Sequence, residues 1–185
     1  DDFLDPDVFR ANSALGVPGL FNAYLKGNVT LANAVGTGVA DDKAVYAYMP
    51  RITRYYLGED PILANVETNI CREADGLQKT LAQLDQLVTK PVGESGGDGI
   101  VIGPHTSKAK IAQLRAQLKK DPANFISQPL VQLSVCPTMT GRKIEPRHVD
   151  LRPFALTGQS TWVLPGGLTR VAMPRGSMVV NSSQG

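Results

Sequence analysis

Apolar positions change their spacing several times along the chain, and each change marks a predicted element. Residues 20–26 fit a short helix stopped by Gly27, and residues 28–33 alternate apolar and polar positions as a half-buried strand does. A second helix is predicted over about 41–56, capped by Asp41 or Asp42, with Pro50 as the place where it should bend or break. Residues 61–68 read as extended. Within residues 74–86, Leu77, Leu81 and Leu84 recur at helical spacing, and this helix leads into two apolar runs joined by a glycine-dense loop, which together read as a β-hairpin over 87–103. Thr106 or Ser107 can cap the next helix, which runs to about residue 120. It buries Ile111, Leu114 and Leu118 and leaves Lys108, Lys110, Arg115 and Lys119 mainly on solvated faces. Residues 125–134 read as a strand in which Pro129 must sit at an edge or a bulge. The last third is β-rich, with strands at 147–156, 161–164 and 168–173, a turn at Pro165-Gly166-Gly167, and a strand-like run at 177–180. The fold class expected from this order is α/β (α+β): an N-terminal α/β segment over 1–72, then a hairpin-plus-helix lobe and an antiparallel β lobe over 73–185.

The hairpin is the first stretch with chemistry in it. Lys90 ends its first run, and Gly93, Gly96, Gly97 and Gly99 follow, more glycines than a tight turn requires. A loop without Cβ atoms lets backbone N–H groups approach an anion, and a lysine beside it supplies a compact positive charge, a combination suited to a polyphosphate. The ordinary alternative is a glycine-rich hairpin with a solvated lysine. No Gly-Lys-Ser/Thr follows, so this is not a Walker A loop. Gly36-Thr37-Gly38 lacks the third glycine of a dinucleotide fingerprint, since Asp41 holds that place, and a strand-to-helix turn is the plainer reading. Lys43, in the first turn of the following helix, opposes the helix dipole unless an anion lies near. In the β-rich third, neighbouring antiparallel strands can bring Asp150, Arg152, Arg170 and Asn181 onto one face. Such a face is commonly just solvated. Beside a lysine–glycine hairpin, one carboxylate, two arginines and an amide would also suit a metal–triphosphate complex.

Composition narrows the partners. The 185 residues suffice for one domain with a core or for two small lobes, with 42% hydrophobic and 19% charged residues. A formal charge of +2 argues for neither nucleic acid nor a membrane surface, and no apolar run approaches the roughly 20 residues of a membrane span. Cys71 and Cys136 are far apart and, with His105 and His148, form no zinc-type pattern, so a reduced cytoplasmic protein with buried thiols is expected. The opening Asp1-Asp2-Phe3-Leu4-Asp5-Pro6 is acidic where a signal peptide would be basic. The chain stops in a turn just after a strand-like run, so it is expected to be part of a longer protein.

Several phrases carry a resemblance. They are Gly36-Thr37-Gly38-Val39-Ala40-Asp41-Asp42-Lys43, Arg147-His148-Val149-Asp150-Leu151-Arg152-Pro153-Phe154, Pro165-Gly166-Gly167-Leu168-Thr169-Arg170 and Val179-Val180-Asn181-Ser182-Ser183-Gln184-Gly185. Together with the order of lysine strand, glycine loop, strand, helix and strand, they resemble the circularly permuted ATP-grasp family, relatives of glutathionylspermidine-synthase-type ligases. The resemblance implies ATP- and Mg²⁺-dependent ligation of a carboxylate to an amine or thiol through an acyl phosphate. The alternative is a non-catalytic nucleotide-binding or interaction module with the same fold. It implies that Lys90, and also Lys43, contact phosphate, and that Gly96, Gly97 and Gly99 form a flap. Gln128 to Leu130 would lie beside adenine, Asp150 and Asn181 would be metal ligands, and Arg152 and Arg170 would steady the transferred phosphoryl group. Such sites commonly carry a glutamate two residues before the ligand asparagine, but Val179 stands there.

Overall fold

The computed structural model describes residues 4–13, 15–32, 34–94 and 96–180. The chain divides into two compact units, Asp1–Asn65 and Val66–Gly185.

The first unit holds two helices, α1 (Leu20–Leu25) and α2 (Lys43–Leu57), and no strand among its described residues. The strand expected over 28–33 is therefore absent from residues 28–32, and Asn33 lies outside the described residues. An alternating run without a partner strand leaves its backbone groups unpaired, so alternation alone does not make a strand. Asp42 caps α2, accepting hydrogen bonds from the N–H groups of Ala44 at 2.7 Å and Val45 at 3.1 Å. Of the bend or break expected at Pro50, the break does not occur, and α2 runs through it. Proline deprives the carbonyl four residues earlier of its helical donor. That carbonyl belongs to Tyr46, and the Asn65 side-chain amide donates to it at 3.0 Å. Asp5, buried, plays a similar role for α1 and accepts from the N–H groups of Phe21, Asp7 and Gly19.

The second unit contains two antiparallel sheets. In the first, β1 (Asn69–Ile70), β4 (Phe125–Pro129), β2 (Leu87–Pro91) and β3 (Val101–Ile102) lie side by side in that order. The hairpin of β2 and β3 is as expected, pairing Val88 with Ile102 and Thr89 with Val101. Side chains alternate across a sheet, so Thr89, Val101, Phe125 and Ser127 share one face while Val88, Lys90, Ile102 and Gln128 share the other. The first face packs on α3 (Ala74–Ala82) and α4 (Lys108–Lys120), with Cys71, Leu84, Leu114 and Leu118 at the centre of the core. Ser107 caps α4 through its side-chain oxygen. In this layer Thr80 and Ser127 share a 2.7 Å hydroxyl contact and Asn69 donates to Ser127 at 3.1 Å, while the buried Thr89 hydroxyl has no hydrogen-bond partner. The other face carries Val88, Lys90, Ile126 and Gln128 and packs on neither helix of this core.

The second sheet has the order β5 (Ser134–Thr140), β6 (Lys143–Thr157), β7 (Thr161–Val171). The run expected as one strand over 125–134 is split, with residues 130–133 carrying the chain from one sheet to the other. The turn expected at 165–167 lies inside a continuous β7. β7 is an edge strand, where a residue lacking an N–H is tolerated, and its pairing with β6 shifts register around Pro165, from Pro153 opposite Gly167 to Ala155 opposite Val163. Close approach also demands glycine here, since a Cβ on Gly167 would sit 2.5 Å from the Arg152 carbonyl oxygen. Residues 177–180 join no ladder. Cys71 is buried as expected but Cys136 is exposed, because it lies on β5, the other edge of this small sheet. No helix among the described residues is long and apolar enough to cross a membrane.

Candidate functional site

The helix-free face of the first sheet forms one wall of a cavity of about 480 Å³, whose described lining residues all belong to the second unit. That volume is ordinary for a small-molecule site. Its apolar lining includes Val66, Val88, Ile102, Leu130, Leu133 and Met178, and its polar lining is Lys90, Gln128, Asp150, Arg152 and Arg170. Each polar group arrives by strand geometry. Lys90 and Gln128 project from β2 and β4 on the same face, and Asp150 on β6 is directly paired with Arg170 on β7 while Arg152 follows two residues along.

Asp150 organises the cationic side of the site. Its Oδ2 accepts from Arg152 Nε at 3.1 Å and Nη2 at 3.0 Å, and its Oδ1 accepts the backbone N–H of Arg170 at 3.3 Å. Lys90 Nζ donates to Gln128 Oε1 at 2.7 Å. Gly96 and Gly97 bring the hairpin loop to the cavity in left-handed conformations, with φ of 66° and 90°. At those angles a side chain would be strained.

Gly99 and Lys43 are not among the residues that line the cavity. Gly99 packs against Pro91, whose Cγ would be 2.6 Å from an added Cβ. Lys43 opens α2 in the first unit, and Asn181 lies outside the described residues. Among the described residues, no three His, Cys, Asp or Glu side chains gather into a cluster that could hold a metal ion.

Two supports could not be anticipated. Thr68 accepts from Gln128 Nε2 at 2.8 Å, and Arg147, a buried residue of β6, donates through Nε to the Met173 carbonyl at 2.8 Å and through Nη2 to Glu145 at 2.7 Å. Arg147 thus fastens the segment after β7, from which Met178, Val179 and Val180 line the cavity. The motif Arg147-His148-Val149-Asp150 was a signal, but its first residue had no visible partner in sequence. The hydrogen bond from Arg147 holds the Glu145 carboxyl below the usual carboxylate range, against the opposing effect of burial. A lowered folded pKa adds stability above the ordinary glutamate range, and that stability is lost as pH falls through the folded value. Thermal unfolding followed from about pH 7 to 3 should therefore show a steeper acid limb in the wild type than in Glu145→Gln; parallel limbs would remove Arg147–Glu145 as an acid-sensitive link.

The sequence of residues 1–172 matches the family model described as circularly permuted ATP-grasp type 2. The whole chain is 52% identical to an uncharacterized protein of Synechocystis, covering 39% of that protein, and 54% identical to an uncharacterized protein of Mycobacterium tuberculosis, covering 34% of it. Over 98% of its length it is 46% identical to a Frankia alni protein named "Putative glutamate--cysteine ligase 2-3", of which it spans 21%. The chain thus spans well under half the length of these relatives. With a lysine–glycine hairpin facing an Asp-x-Arg strand and a match over residues 1–172, the chain belongs to the circularly permuted ATP-grasp family, type 2.

Proposed function

We propose that this cavity binds ATP with Mg²⁺ and that the protein is an ATP-dependent ligase joining a carboxylate to an amine or thiol in the cytoplasm. The observation that carries the reading is the convergence of Lys90, Arg152 and Arg170 on an otherwise mainly apolar cavity with one carboxylate, Asp150. Three cations and a glycine loop suit a triphosphate, and the apolar lining suits a base. The residues fit Mg²⁺ in the manner of ions held mostly by phosphates and water, with Asp150 as the one carboxylate ligand among those described. When bound, the ion would neutralise phosphate charge. Because Val66 lines the cavity and Thr68 supports Gln128, we take the nucleotide-binding portion to begin at residue 66 rather than 73.

In the proposed reaction an oxygen of the substrate carboxylate attacks the γ-phosphorus of ATP, the bond to the β–γ bridging oxygen breaks, and ADP leaves. The amine or thiol then attacks the acyl carbon, loses its proton, and expels inorganic phosphate. The chain's part is positioning and charge neutralisation. Lys90 holds the phosphates, Gly96 and Gly97 let the loop backbone close on them, and Arg152 and Arg170 steady the transferred phosphoryl group. Backbone groups of Gln128 to Leu130 lie beside the base. The names of the Frankia relatives support an amide-forming ligation.

The presence of only one acidic side chain among the described lining residues favours a second reading, a nucleotide-binding module without turnover. Hydroxylamine separates the two, since it intercepts an acyl phosphate as a stable hydroxamate. Incubating the intact protein with ATP, Mg²⁺ and a panel of amino-acid and dicarboxylic substrates should give hydroxamate and ADP in equal amounts with one of them. ATP binding with no hydroxamate from any member of the panel would favour the module.

A further inference from the structure

We infer that Gln128 and Thr68 are positioning residues that hold the Lys90 ammonium ready for an anion, so that the site is preorganised for phosphate before nucleotide arrives. The inference rests on the nucleotide reading of the cavity. It goes beyond that reading by giving the Gln128 side chain a task other than contact with the base.

The geometry is a directed chain of hydrogen bonds across three segments. Lys90 Nζ donates to Gln128 Oε1 at 2.7 Å, Gln128 Nε2 donates to Thr68 Oγ1 at 2.8 Å, and Thr68 Oγ1 donates to the Val66 carbonyl at 2.9 Å. Gln128 is only 8% exposed, so its amide must find partners inside the protein. The chain admits one orientation. An ammonium is a donor only, so the oxygen of the amide faces Lys90, and the Thr68 proton is committed to Val66, so its oxygen is free to accept from the amide nitrogen. A flipped amide would set donor against donor at Lys90 and acceptor against acceptor at Thr68.

The chemistry of the tether suits its task. A lysine side chain loses much rotamer freedom when it is fixed, and fixing it beforehand removes that cost from ligand binding. A glutamine fixes it through a neutral oxygen. A carboxylate in its place would fix it equally well while cancelling the charge that phosphate needs.

The test is the affinity of the intact protein for ATP and for adenosine, which lacks phosphates, measured on four variants. Gln128→Met should weaken ATP about tenfold and Thr68→Val about threefold, with adenosine unchanged in both. Thr68→Ser, which keeps the hydroxyl, should bind ATP as the wild type does. In a Lys90→Ala background, Gln128→Met and Thr68→Val should have no further effect on ATP. Equal weakening of ATP and adenosine, or a persisting effect in the Lys90→Ala background, would overturn the inference, because the side chains would then be acting on the fold or the base. Unchanged ATP affinity in Thr68→Val and Gln128→Met would overturn it too, while leaving the nucleotide site intact. Failure of the wild type to bind ATP at all would overturn the nucleotide reading and this inference with it.

Discussion

Replacing Lys90 by alanine should weaken ATP about a hundredfold while leaving thermal stability nearly unchanged. The magnitude follows from the bond lost: a charge-assisted contact to phosphate contributes roughly 1.5–3 kcal/mol, and a hundredfold loss corresponds to about 2.8 kcal/mol. Stability should hold because Lys90 is half-buried at the cavity wall and outside the core of Cys71, Leu84, Leu114 and Leu118. The variant does leave Gln128 Oε1 without its donor, and the open cavity lets water replace it. Adenosine affinity should stay the same, since the base side of the cavity is untouched. An ATP affinity within twofold of wild type would show that the lysine faces the cavity without serving it.

The second large effect is expected at Asp150. Asparagine at this position keeps an oxygen for the Arg170 N–H but loses the charge that receives both donors of Arg152. Because the Arg152 and Asp150 side chains are 44% and 28% exposed, their ion pair adds little to the stability of the fold, and the melting temperature should move little. ATP binding with Mg²⁺ should fall roughly tenfold more than binding without it, as expected for loss of a metal-bound carboxylate. Calorimetry with and without the ion reads this directly. An equal loss in both conditions would assign Asp150 to the arginines instead of the metal.

Local and periodic features of the fold could be read from the chain. Leu77 and Leu81, and Ile111, Leu114 and Leu118, specify two helical faces whose spacing is visible in a few turns, although α3 ends at Ala82, so Leu84 reaches the core from the turn beyond it rather than from the helix expected to 86. The hairpin around Lys90 carries its own glycines, and Asp150-x-Arg152 places both side chains on one face by strand alternation alone. What escaped the sequence depends on partners distant along the chain. Pro50 predicts a bent or broken helix, yet α2 is continuous and Asn65 satisfies the Tyr46 carbonyl. β5 and the start of β6 are hard to foresee because Pro137 is paired with Pro146, and proline argues against a strand wherever the edge position is unknown. Pro165-Gly166-Gly167 spells a turn, yet a shifted register between β6 and β7 absorbs it.

The site divides in the same way. The charged residues of the cavity stand out because their types declare their chemistry, whereas Thr68 and Arg147 act through other residues and look unremarkable in sequence. Gly99 shows the converse. It shares the loop and the residue type of Gly96 and Gly97, but its place is set by Pro91, and only the folded hairpin distinguishes it from the glycines at the cavity.

The central claim, that the cavity formed by the lysine hairpin and the Asp150–Arg170 strands is a nucleotide–metal site, is tested most directly by calorimetric titration of ATP into the intact protein with and without Mg²⁺. The account predicts saturable binding at one site per chain, tighter with Mg²⁺ than without it and lost in Lys90→Ala. A folded protein that binds no ATP in either condition, or binds it equally well without Lys90, would contradict the claim.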